Sequence, residues 1–65
     1  MSGIKAVDRI LAVMSTEKPL RVLEISFKTG IPFGECEAFI YYLWDKGRVA
    51  QTENDKKEIA WLKNE

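Results

Sequence analysis

A three-residue corner, Gly30-Ile31-Pro32, separates two amphipathic stretches, and no other feature of the sequence restricts the fold as tightly. Before it, Val22, Ile25, Ser26 and Thr29 fall at i, i+3, i+4 and i+7, the spacing of one helical face. After it, Cys36, Phe39, Ile40 and Leu43 repeat that spacing, with Trp44 flanking the stripe as core edge. Glycine tolerates the left-handed backbone that ends many helices, and proline, with its fixed φ, suits the entry to the next. The pattern predicts helices over about residues 21–29 and 33–46, the second stopped by Gly47.

A further helix is expected over about residues 3–15, where Ile4, Val7, Ile10, Leu11 and Met14 share a face and Ser2 is placed to cap the start. Ser15 to Pro19 reads as loop, because proline disfavours helical backbone in the residue before it, and Leu20 should lie in a short extended stretch. Past Gly47 the pattern becomes that of a β-hairpin over about residues 48–63, with Asn54-Asp55-Lys56-Lys57 as turn material. An even-numbered loop would pair Glu53 with Glu58 and set Val49 opposite Leu62. That register sends Val49, Ala60 and Leu62 to the core and turns Ala50, Ile59 and Trp61 outward.

Sixty-five residues make one domain, 1–65, of α+β class and mostly helical. A chain of this size buries only roughly 60% of its unfolded surface, so its core is small and self-association is a common support. Ten basic and ten acidic residues cancel, which lowers the expectation of nucleic-acid binding without removing it, since patches matter more than totals. The single cysteine, Cys36, forms no internal disulfide, and with no histidine present the usual zinc sites and histidine-based catalytic dyads are excluded. No signal-peptide layout and no apolar run near about 18 residues are present, so a cytoplasmic location is expected.

The order helix, short strand, helix, glycine corner, helix, two-stranded hairpin resembles the winged helix-turn-helix superfamily over nearly the whole chain. The residues that carry the resemblance are Pro19-Leu20, Ile25-Ser26, Thr29-Gly30-Ile31-Pro32, the Cys36/Phe39/Ile40/Leu43 stripe and Lys46-Gly47-Arg48-Val49. It implies that the third helix enters the major groove of duplex DNA, presenting Pro32, Phe33, Gly34, Glu37, Ala38 and Tyr41. Arg, Lys, Asn and Gln read bases well, and none stands at those positions. Glu35 and Glu37 would repel phosphates. The basic residues lie elsewhere: Lys28, Lys46, Arg48, Lys56 and Lys57 form a candidate phosphate-contacting rim, with Tyr41 beside it. The implied function is a transcriptional regulator, dimeric on paired half-sites, acting mainly through phosphate contacts.

A different role is also open. Leu23 and Phe27 lie i, i+4 on the second helix, off its inward stripe, and Phe33, Tyr41 and Trp61 add aromatic surface. Such residues either thicken the small core against the first helix or mark an interface with a second copy or another protein. Cys36, on the buried stripe, reads as a small apolar residue. With no phosphate loop and no carboxylate pair in an evident cleft, the chain reads as a non-enzyme that needs no cofactor or metal.

Overall fold

A computed structural model describes residues 3–64. Three helices, α1 (Gly3–Val13), α2 (Val22–Thr29) and α3 (Phe33–Asp45), precede a two-stranded antiparallel ribbon, β1 (Val49–Glu53) and β2 (Ile59–Lys63). This is the three-helix, one-wing layout of a winged helix-turn-helix, α+β and mostly α. Ser2 and its proposed cap lie outside the described residues.

α1 stops two residues earlier than its apolar spacing suggests, because Ser15 builds a turn. Its hydroxyl accepts the N–H groups of Glu17 and Lys18 at 2.9 and 3.0 Å, the local bonding by which serine competes with helix. Met14 nevertheless reaches the core from just beyond the helix. Leu20 is extended as expected and pairs with Trp61, each N–H donating to the other's carbonyl at 3.0 and 2.8 Å. β2 is thereby flanked by Leu20 on one side and β1 on the other.

The corner between α2 and α3 is held from inside. Gly30 has φ 74° and donates its N–H to the Ser26 carbonyl at 2.9 Å, a left-handed ending that suits glycine. Thr29 Oγ1 donates to Ile25 O at 2.8 Å and accepts from Ile31 N at 3.2 Å, while Ser26 Oγ donates to Ile31 O at 2.6 Å. Two short hydroxyl side chains therefore satisfy the backbone of the turn. The Arg9 guanidinium adds a bond to the Thr29 carbonyl from α1. α3 ends in a Schellman arrangement: Arg48 N donates to Leu43 O at 2.8 Å and Gly47 N to Trp44 O at 3.0 Å, with Gly47 at φ 73°.

The hairpin register differs from the sequence expectation by one residue. Glu53 pairs with Ile59, Gln51 with Trp61 and Val49 with Lys63. The cause is Asn54. Its carbonyl accepts from Lys57 N at 3.0 Å and its Oδ1 from Lys56 N and Glu58 N, closing a turn with Lys57 at φ 62°. That makes the connection odd-numbered, a three-residue tip, Asp55-Lys56-Lys57, whose last residue is left-handed. A shift of one flips every side chain. Trp61 consequently shares a face with Val49 and packs inward, only 1% exposed, while Leu62 and Ala50 share the other face. Ala60 is buried, but on the face opposite Trp61.

The core unites Ala6, Ile10 and Met14 with Leu20, Ile25, Ile31, the α3 stripe Cys36, Ile40 and Leu43, and then Val49 and Trp61. Phe39 and Val22 pack at its margin.

Candidate nucleic-acid and protein interface

The five basic residues of the expected rim are all on the surface: Lys28 in the last turn of α2, Lys46 and Arg48 at the exit from α3, Lys56 and Lys57 on the wing tip. Among the described residues none of them forms an ion pair. Lys46 Nζ stands 5.6 Å from the centroid of the Tyr42 ring, a cation–π contact. The wing tip is braced, because Asn54 ties Lys56, Lys57 and Glu58 through its backbone and side chain, and Asn54 Nδ2 also donates to Glu58 Oε1 at 3.0 Å.

α3 turns a smooth face outward. Phe33, Gly34, Glu35, Ala38, Tyr41 and Tyr42 are exposed and Glu37 is half-buried, with no cation between Pro32 and Asp45. A Cβ added at Gly34 would meet no atom within 4 Å. Tyr41 is about half exposed, its ring edge-on to Trp61 at 5.5 Å between centroids, and Trp44 meets Trp61 at 5.2 Å in the same manner. Trp61 is thus the buried floor of an aromatic cluster whose rims, Tyr41 and Trp44, reach solvent. As a residue available to a partner, Trp61 is ruled out by its burial, which follows from the shifted register.

A cleft of about 280 Å³ lies where the wing tip meets the start of α2, lined by Lys18, Arg21, Asn54, Lys56 and three carboxylates, Glu24, Asp55 and Glu58. Arg21 Nη1 sits 3.2 Å from Glu58 Oε2, and its backbone N–H donates to Glu24 Oε1 at 3.0 Å. The Arg21 N–H holds the Glu24 carboxyl below the ordinary carboxylate range, with the guanidinium assisting. The Asn54 amide does the same for Glu58, again helped by Arg21. Sequence reasoning did not single out Lys18 or Arg21. The signal was Arg21 three residues before Glu24, a helix-start spacing, but the Glu58 contact joins residues 37 apart in the chain.

On α2, Leu23 is 45% and Phe27 81% exposed, so neither thickens the core. They border a shallow recess of about 270 Å³ completed by Ser26, Gly30, Ile31 and Pro32. Phe33 is partly exposed just beyond it. Cys36 is fully buried, and burial pushes its thiol pKa up, away from the thiolate that reactivity needs. Among the described residues no cluster of three or more Cys, Asp or Glu could hold a metal ion, and no helix is long and apolar enough to cross a membrane. Comparison of the chain with protein-family models, with curated proteins and with solved structures finds no match.

Proposed function

We propose that this chain is a small DNA-binding member of the winged helix-turn-helix superfamily, a cytoplasmic transcriptional regulator that holds duplex DNA mainly through its phosphates. One observation carries this reading: Lys28, Lys46, Arg48, Lys56 and Lys57 are exposed and, among the described residues, form no ion pair. Lys56 and Lys57 stand on a tip already fixed by Asn54, so little conformational entropy is lost when they meet phosphate. Tyr41 adds a hydroxyl suited to a phosphate oxygen. Because α3 carries no side chain that reads base edges bidentately, the binding has little sequence preference. Glu35 on the same helix keeps it weak.

Fluorescence anisotropy of a labelled random-sequence duplex tests this. Three to five phosphate contacts, an order-of-magnitude count, give a logarithmic salt slope of about −0.9 per contact. Replacing Lys56 and Lys57 together with alanine lowers that slope by about 2. An unbound duplex at low ionic strength ends the reading.

A second reading is a protein-interaction module that uses the apolar and acidic helix face. The exposure of Phe27, with Leu23, Phe33 and Tyr41 also at the surface, favours it. It expects association far less sensitive to salt than phosphate binding and abolished by Phe27→Ala together with Tyr41→Ala, since buried aromatic anchors carry such affinity.

A further inference from the structure

We infer that α2 is the interface of a twofold homodimer, in which two copies pack antiparallel with Leu23 against Phe27 of the second copy and Glu24 against Lys28 of the second copy. The inference rests on the protein-interaction reading of the α2 face; it takes Lys28 out of the phosphate-contacting rim and leaves Lys46, Arg48, Lys56 and Lys57 to it.

Three observations lead to it. The first is the seam: Leu23 and Phe27 stand one helical turn apart, opposite the buried Ile25, and Phe27 is the most exposed large apolar side chain among the described residues. The second is shape. Phe27 projects beside a recess floored by Ile31 and Pro32, so a projection and a hollow lie next to each other on one face. A twofold axis turns such a face into its own complement, because each copy supplies the projection that the other receives.

The third is charge. Glu24 and Lys28 are also one turn apart, and both lie on the same flank of that seam. A twofold axis that reverses one helix brings equal flanks together. The Leu23–Phe27 pair centres on residue 25 and the Glu24–Lys28 pair on residue 26, so an axis midway leaves each pair within about 1.5 Å of level, a gap that these side chains span. A parallel twofold would instead put equal flanks on opposite sides of the seam and leave Glu24 and Lys28 of each copy without a partner across it. Arg21 already holds Glu24 ionised by bonding Oε1, so the carboxylate is charged when Lys28 of the second copy arrives.

The face is small. Leu23, Phe27 and the Pro32 rim of two copies fall below the roughly 1,200 Å² at which standard-sized complexes begin, so association is weak and reversible.

Sedimentation equilibrium of the full chain from micromolar to millimolar concentration, with NMR dilution of the labelled protein, tests the dimer. The expected result is a reversible monomer–dimer equilibrium with dilution shifts centred on residues 23–28 and 30–32. Phe27→Asp, at a solvent-exposed position that folding does not need, abolishes the dimer while leaving the circular dichroism intact. Lys28→Glu, which keeps the α2 start untouched, weakens it at least fivefold at low salt and less at high salt. A wild-type chain that stays monomeric throughout overturns the dimer but leaves the α2 face open to a different polypeptide. A dimer indifferent to Phe27→Asp, or one whose dilution shifts centre on Tyr41 and Trp44, overturns the use of α2 altogether.

Discussion

Arg21 and Glu58 meet at 3.2 Å, joining the N-cap of α2 to the foot of the wing tip. Both side chains are well exposed to solvent, so the contact adds little to stability. Its consequence is positional: the tip carrying Lys56 and Lys57 is tied to the helix that carries Lys28. Arg21→Ala should broaden the wing-tip amide resonances and weaken DNA binding by more than the loss of one phosphate contact allows. An effect confined to a single contact, with a salt slope lower by about 1, would mean the tie is unimportant.

Acid should loosen this same corner. Glu24 and Glu58 titrate below the ordinary range in the folded chain, so the folded state binds fewer protons than the unfolded one. The stability they supply is complete above the unfolded carboxylate pKa of about 4.3 and is lost as pH falls through their lowered values. Melting temperature should therefore decline from about pH 5 downward, and Glu58→Gln should flatten that decline. Superimposable profiles for the two proteins would contradict the assignment.

Lys57 occupies left-handed backbone at φ 62°, a conformation costing non-glycine residues on the order of 1–3 kcal/mol. Lys57→Gly should relieve this, less the added entropy of glycine, for a net gain of roughly 1 kcal/mol, or about 4–8 °C in melting temperature. Lys56→Gly, at a neighbour without that strain, should give no such gain. If the two variants melt alike, the turn geometry is not what limits the tip.

Gly30 and Gly34 should respond to alanine in opposite directions. Gly30 needs φ 74°, and its Cβ would meet only Arg9 at an ordinary 3.6 Å, so Gly30→Ala should cost about 1 kcal/mol through backbone strain alone. Gly34 lies within α3 with open space around a Cβ, and Gly34→Ala should stabilise by up to about 1 kcal/mol. Chemical denaturation resolves both, and a shared sign would be the wrong outcome.

Thr29→Val keeps the side-chain shape but removes the acceptor of the buried Ile31 N–H. Leaving that group unbonded should cost about 1–3 kcal/mol, readable as a lower denaturation midpoint with unchanged slope. A midpoint within error of the parent would show that water or another group replaces the hydroxyl.

The helices were legible because each carries a stripe of apolar residues at helical spacing, and the corner because glycine and proline punctuate it. The termini shifted where short polar side chains act: Ser15 stops α1 early, and Asn54 sets the hairpin register. Neither effect shows as periodicity. Their bonds depend on geometry that many serines and asparagines never adopt. Alternation alone therefore puts Trp61 on the wrong side of the ribbon and Val49 on the right one. At the candidate site, the exposure of the lysines was readable from their chemistry. The pairing of Arg21 with Glu58 was not, because only tertiary closure brings the wing back to α2.

The Leu20–Trp61 pairing has a consequence for how the protein matures. The ring that completes the interior arrives on β2, after α1, α2 and α3, and its backbone partner lies in the link between the first two helices. A nascent chain ending before Trp61 therefore has its α-helical segments but lacks the wedge that locks them. Closure of the core waits for β2, and truncation before Trp61 should yield a collapsed, degradable product.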